Sequence, residues 1–590
     1  MFKNCFYSSR KSTVHLWEQV NGEDLYTKID WVPYVFVPSA DGDIKSIDGK
    51  TVTKKEFNSY YDYTEYTKSA MALEDRVKPE IQFLAERYGL IPDEEMLPPK
   101  LKVYFIDIEV FSAPGSTNVH GWKPEYTECP VVLISVYDNT TNRTTVFGEK
   151  PYAGKYSKEK FIDYIHCTTE ENVLLRFFNF MSRNPCDVVS GWNIAQYDIP
   201  YLINRVKSLF GDESNVYNKI SPIGVVRMWE RENQYSIDIA GVHIMDYMDL
   251  YKLYAPDKLE SYSLNFVSTH ELDKGKVDYS EYKDLRRLYD ENWDLFVTYN
   301  IIDALRVAQL DEKLGYINQV QSLSLLTRVP MKFYRTVTNL LEGLLLVYLR
   351  RHGLCAPHMY GGSQEGYEGA FVKDPQKGMH DWVVDEDLIS SYPSAMITMN
   401  MSLETYFGRI QGIDEQLVIE YTKKRCFPDF TMFKEGQGRV QFIGKKLESF
   451  NKALEKRLLC VSPCGSVFAT KPAGVIATVQ RELFWKRVEM KDKMKKVKGS
   501  LAELRADNLS KAKEKAAQLH NLQNAYKTML NSMYGATAVP YSRWYNKNLS
   551  EAITSCARHT IKMGVVYVNE ILNEPNEKML KVLDDIKREV

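Results

Sequence analysis

Three features that often declare a protein's class are missing from these 590 residues. There is no membrane span. The most apolar run, Leu340 to Leu349, is short and broken by Glu342 and Gly343, against the roughly 20 apolar residues a bilayer requires. The first residues, MFKNCFYSSRKSTVHLWEQ, also lack the apolar core of a signal peptide. There is no dominant charge. Lys and Arg number 76 against 78 Asp and Glu, a net charge of −2, which excludes a global basic field and leaves any nucleic-acid contact to local patches. There is no paired cysteine motif either. The nine cysteines are scattered; the closest two, Cys460 and Cys464, have no second Cys or His pair nearby. That excludes the usual zinc-site spacing and reads as free thiols. No internal repeat or low-complexity segment points to a solenoid or a disordered tract. What is present is an ordinary globular balance, 44% hydrophobic and 26% charged, in a chain long enough for three or four domains.

Along the chain, residues 1–100 alternate short strand-like runs such as WVPYVFVPSA with turns such as DGD and DGK, which predicts a small β-rich module. DEEMLPPK reads as a linker, and LKVYFIDIEVF after it as an apolar strand buried on both faces except at its acids. From there to about residue 315, strands alternate with helical stretches such as Glu171–Ser182 and Trp293–Leu314, so an α/β domain is predicted. A helical stretch over about 316–352 and a Gly-rich loop, YGGSQEGYEGA, lead to a second acid-tipped strand, DWVVDEDLISSYPS. Residues 479–534 predict two long helices, the first strongly basic, with a turn near Gly499–Asn508.

Two sets of residues carry chemistry. In the first, Asp107 and Glu109 lie two apart on the predicted strand and so share a face, where burial is expensive unless a cation neutralises them. SGWNIAQYDIPYL adds Asp198, and TYNIIDALRV sets Tyr299 and Asp303 four apart on one helix face. Taken singly each piece is commonplace. Taken in this order, four carboxylates and a tyrosine suit two-metal phosphodiester hydrolysis, in which hard oxygen ligands hold a pair of Mg²⁺ or Mn²⁺ ions. In these residues the chain resembles the proofreading 3′→5′ exonucleases of family B DNA polymerases, of the large tailed-bacteriophage type. The resemblance extends through Asp246–Lys252 (DYMDLYK) and SYSLNFVS, and makes Lys276 a phosphate-contacting lysine. It also makes VVRMWERENQYSIDIAGVHIM the hairpin that helps to part primer from template. Tyr197 stands where the family often has Phe.

The second set resembles part of a polymerase site. Asp387 followed by LISSYPS is similar to the family motif D-x-x-S-L-Y-P-S. That makes Asp387 a metal-binding aspartate, the amides near Ser390 and Ser391 a triphosphate cradle, and Tyr392 the ring beneath the sugar that excludes a 2′-hydroxyl. Ser391 departs from the family's Leu. On the predicted helices, Arg487 and Lys491 share a face, as do Lys527, Asn531 and Tyr534. Antiparallel packing would gather Arg487, Lys491 and Lys527 around three phosphates. K-x₃-N-S-x-Y-G, here Lys527 to Gly535, is a family signature, and YEGA (Tyr367 to Ala370, including Gly369) resembles the loop that contacts template and links polymerising to editing.

The resemblance implies a β-rich amino-terminal domain (1–100, completed by about 316–365) and a ribonuclease H-like exonuclease domain (101–315). A partial palm (366–446 and 536–590) and helical fingers (447–535) follow. It implies two Mg²⁺ or Mn²⁺ ions per active site, primer–template DNA and deoxynucleoside triphosphates as partners, and the cytoplasm of an infected bacterial host. The family's next motif, Y-G-D-T-D-S, completes the polymerase metal site. No DTD occurs here, and the last residues, PNEKMLKVLDDIKREV, predict an amphipathic helix after Pro575. The expectation is a polymerase split over two polypeptides, the second supplying that motif, the thumb and the sliding-clamp contact. Two alternatives are a stand-alone exonuclease with a polymerase remnant, and an RNA-binding translational repressor. Intact polymerase residues argue against the first, and the want of an RNP-type aromatic signature in 1–100 against the second.

Overall fold

The computed structural model describes residues 1–111, 124–125, 127–156, 161–232, 234–275, 277–282, 284–361, 366–375, 377–379, 387–500 and 506–573, with backbone only for 506–508, 510 and 569–573. They fall into two compact units that interleave in sequence. Met1–Val32, Pro79–Leu84 and Ile91–Arg335 make the first; Pro33–Lys78, Ala85–Leu90 and Thr336–Val590 make the second. The first hundred residues are thus shared between the units.

The first unit is built on a six-stranded sheet in the order Ile162–His166, Arg143–Gly148, Val131–Asp138, Val103–Val110, Val188–Gly191, His243–Asp246. Val103–Val110 runs antiparallel to Val131–Asp138 on one side and parallel to Val188–Gly191 on the other. The sheet is the mixed α/β layer expected of the ribonuclease H-like domain. Side chains alternate across it. Tyr104, Ile106 and Ile108 enter one core with the helices Glu170–Arg183 and Asp198–Phe210. Val103 and Phe105 enter another with Leu250, Tyr251, Val307 and Leu310. Asp107 and Glu109 continue that second face at the end of the strand.

Each helix has local reasons to form. Glu170–Arg183 starts at Thr169, whose hydroxyl accepts from the Asn172 amide at 3.4 Å, and buries Val173, Leu174, Phe177, Phe178 and Met181 at helical spacing. Trp293–Leu314 starts at Asn292, whose side chain accepts from the Leu295 amide at 3.2 Å, and ends at Gly315 with φ +69°. Its Phe296, Val297 and Ile301 pack on Val132, Leu133 and Val146 of the sheet. Val226–Arg231 and Gln234–Ile239 form an antiparallel hairpin, and Phe2–Ser8, Thr13–Val20 and Glu23–Asp30 a separate antiparallel sheet.

In the second unit, Leu354–Cys355 pairs in parallel with Ile44–Ser46 in a four-stranded sheet. Glu74 and Asp75, both fully buried, are met by arginines from distant sequence. Arg350 takes Glu74, while Arg543 bonds Asp75, Glu342 and the Pro357 carbonyl. Buried charge is tolerable only when paired in this way. A five-stranded antiparallel sheet, Tyr406 to Ala469, runs on both sides of residue 446. The long helices Val475–Ser500, Ala506–Ala538 and Lys547–Asn573 complete the unit. The strand expected through DWVVDE and the helix expected after Pro575 lie outside the described residues. Among the described residues no helix is long and apolar enough to cross a membrane.

Candidate active sites

In the first unit, the ladder between Val188–Gly191 and Val103–Val110 pairs residues 188–190 with 103–105 and ends there, at the carboxyl end of the shorter strand. Crevices in open α/β sheets form outside such carboxyl ends. Here the freed amide of Ile108 donates to Asp198 Oδ1 at 3.3 Å. Asp198 is buried at the start of its helix, and that burial pushes its carboxyl up to about 7, against the pull of its own backbone amide. Asp246 raises it further. Asp246 itself accepts from the amides of Asn193 (3.1 Å), Ala195 (3.0 Å) and Met248 (3.1 Å), and so ties down the turn that delivers Asp198. Gly191 has no room for a side chain, since a Cβ there would lie 2.5 Å from the Ile106 carbonyl oxygen.

The helix Trp293–Leu314 closes the other side. Tyr299 is hydrogen-bonded to Asp303, and its hydroxyl is held well above the usual phenol range, first by burial and then by Asp303, Glu109 and Asp107. It therefore stays protonated within electrostatic reach of three of the four predicted acids. The next residue, Asn300, is fully buried and donates Nδ2 to Asp107 Oδ2 at 2.6 Å. Sequence reasoning passes over Asn300. The signal it offers is a polar residue three before Asp303, with Val297 and Ala304 at the neighbouring helix positions. Lys276 lies outside the described residues.

Among the described residues, no three His, Cys, Asp or Glu side chains are close enough to hold a metal ion as they stand. The donor set nonetheless suits a hard divalent cation, since it offers oxygen ligands only, one of them the buried carboxyl of Asp198.

In the second unit, Asp387 is exposed three residues before Ser390, which adopts φ +53° and precedes the helix Ser391–Thr398. A non-glycine residue in that conformation costs energy and marks a site worth reading functionally. The first amides of the helix that follows have no intrahelical partners. The Tyr392 ring meets the Tyr534 ring at 4.8 Å and 64°, and the Tyr534 and Tyr367 hydroxyls bond at 2.7 Å. Arg558, which the sequence does not mark, donates to the carbonyls of Glu368 (2.7 Å) and Gly369 (2.9 Å) and so anchors the YEGA loop. Gly535 follows Tyr534 within the helix, with open space beside it.

Gln480 donates to the Leu530 carbonyl at 3.0 Å, and Lys498 perturbs His520, so the two long helices run antiparallel. Arg487 and Lys527 therefore both lie in the facing stretches of the pair. Lys491 is one turn beyond Arg487 on its own helix. Arg487 Nε is buried without a protein partner, and burial lowers the guanidinium's pKa. Lys491, Lys527 and Asn531 are exposed.

The model of DNA polymerase family B matches residues 328–589, and that of the family B exonuclease domain residues 54–267. The chain is 26% identical to the DNA-directed DNA polymerases of Escherichia phage RB69 and Enterobacteria phage T4, over 94% of this chain and 65% of each relative. It is 31% identical to the DNA polymerase delta catalytic subunit of Drosophila melanogaster, over 49% of this chain and 28% of that protein. The chain thus spans about two thirds of the length of the phage relatives. With both family models matching, in the order exonuclease then polymerase, the chain belongs to DNA polymerase family B.

Proposed function

We propose that this chain carries a 3′→5′ proofreading exonuclease together with the nucleotide-binding part of a DNA polymerase site. The observation that supports the exonuclease is the meeting of three elements at one end of Val103–Val110: Asp107 bonded to the helix of Tyr299 and Asp303, and Ile108 bonded to Asp198. Asp107, Glu109, Asp198 and Asp303 would hold Mg²⁺ or Mn²⁺ ions, which when bound activate a water and neutralise charge on the leaving oxygen. Tyr299, kept protonated and tied to Asp303, orients that water through its hydroxyl. Lys276 contacts a phosphate of the strand being trimmed.

In the polymerase part, Asp387 is one metal-binding carboxylate, and the amides near Ser390 and Ser391 receive the triphosphate. Arg487, Lys491 and Lys527 neutralise its phosphates, with Asn531 beside them, while Tyr392 lies beneath the sugar. Tyr367, Gly369, Tyr534 and Gly535 contact primer–template DNA. No DTD occurs in these 590 residues, and in this reading a second polypeptide supplies the acid that pairs with Asp387, together with a thumb and the sliding-clamp contact. The site of action is the cytoplasm of an infected bacterium.

The test is single-turnover excision of a mismatched primer terminus with Mg²⁺. Replacing both Asp107 and Glu109 with Ala should slow excision roughly a thousandfold or more, about 4 kcal/mol, while DNA affinity changes little. Wild-type excision by the double variant would overturn the assignment.

A further inference from the structure

Asn300 is an odd residue for its position. It is fully buried, with Phe296, Val297 and Ala304 beside it at helical spacing and Asp303 the one acid among those neighbours. Its carbonyl oxygen has no partner in the protein, and buried polar atoms left in that state call for an explanation. Its amide nitrogen makes one bond, to Asp107 Oδ2 at 2.6 Å. We infer that Asn300 is a positioning residue: it holds the Asp107 carboxylate in the orientation that receives a divalent cation. This inference rests on the exonuclease reading above.

The chemistry of an amide suits that task. A lysine or arginine in its place would cancel the charge that attracts the cation, whereas a neutral donor leaves it intact. The bond fixes one oxygen of Asp107, and with it the plane of the carboxylate. It also couples Asp107 to the helical turn that carries Tyr299 and Asp303, so that strand and helix present their acids together. Groups that orient metal ligands in this way typically govern metal affinity by 10–100-fold.

The probe is Mn²⁺ alone, titrated into the full 590-residue chain and followed by the loss of its free paramagnetic resonance signal. Asn300→Leu, close in shape, should weaken Mn²⁺ binding by roughly tenfold or more. Excision should then require correspondingly more Mn²⁺ and recover at saturation. Asn300→Gln, which keeps the amide, should restore part of the affinity. If Asn300→Leu does not fold, Asn300→Ser and Asn300→Gln supply the comparison, the hydroxyl and the longer amide each giving intermediate affinity. Wild-type Mn²⁺ binding in Asn300→Leu, or in both substitutes, would overturn the inference. Asp107→Ala separates the two levels. If it loses Mn²⁺ binding while the Asn300 variants do not, only this inference fails; if it binds as wild type, the exonuclease site itself is misassigned.

Discussion

Among single residues, His243 shows how burial turns into a dependence on pH. Its Nε2–H donates to the Lys3 carbonyl at 3.1 Å, and Nδ1 is buried without a protein partner. Burial first, with Lys332 adding to it, lowers its pKa to about 4, against the opposing pull of the Lys3 carbonyl and Asp238. Above pH 6.5 the ring is neutral whether folded or not, and the fold loses nothing. As the pH falls below 6.5, the unfolded chain takes up a proton that the folded chain refuses, and up to about 3 kcal/mol of stability is lost by pH 4. Replacing His243 with Gln should therefore flatten the decline in the urea midpoint between pH 6.5 and 4.5. An unchanged slope would mean that His243 does not titrate in that window.

Gly191 makes the corresponding point for an element. Val188–Gly191 can approach Val103–Val110 because position 191 carries no side chain; a Cβ there would meet the Ile106 carbonyl oxygen at 2.5 Å. Ile106 immediately precedes Asp107, so any movement that relieves the clash displaces a predicted ligand. Gly191→Ala should cost about 1–3 kcal/mol, in the range of other overpacked sites. It should also slow excision more than tenfold at temperatures where the variant is still folded. A thermal midpoint and excision rate equal to wild type would show that the strands part without effort. Elements such as these were partly legible beforehand. Trp293–Leu314 is bounded in sequence by Asn292 and Gly315 and is found with those limits, and Glu171–Ser182 is found as Glu170–Arg183. Legibility fails for the bonds between elements, because no local window contains both partners.

For the whole molecule, the two sets of residues predict unequal competence. All the exonuclease residues lie in one compact unit, whereas Asp387 needs a second carboxylate that does not occur as DTD within these 590 residues. The purified chain should therefore shorten single-stranded DNA from its 3′ end yet fail to extend a primer, by roughly a thousandfold or more. Adding a polypeptide that carries a Y-G-D-T-D-S hairpin and a thumb should restore extension, the thumb by neutralising further phosphates of the duplex. Extension by the chain alone, at a rate near that of the mixture, would mean that an unrecognised acid completes the site.

Sequence by itself determined the strand VYFIDIEV with its two acids on one face, the four-residue spacing of Tyr299 and Asp303, and the two long helices. Each is a matter of periodicity within a few residues. Tertiary structure alone decided that Asn300 reaches Asp107, 193 residues away, and that Ile108 reaches Asp198, 90 residues away. It alone decided that Tyr367 meets Tyr534 across 167 residues. It also decided which acid is so deeply buried that its carboxyl rises to about 7. The physical reason is the same throughout: hydrogen bonds and desolvation act between neighbours in space. In this protein those neighbours are set by the order of strands in the sheets and by the register of the helices that pack within each unit.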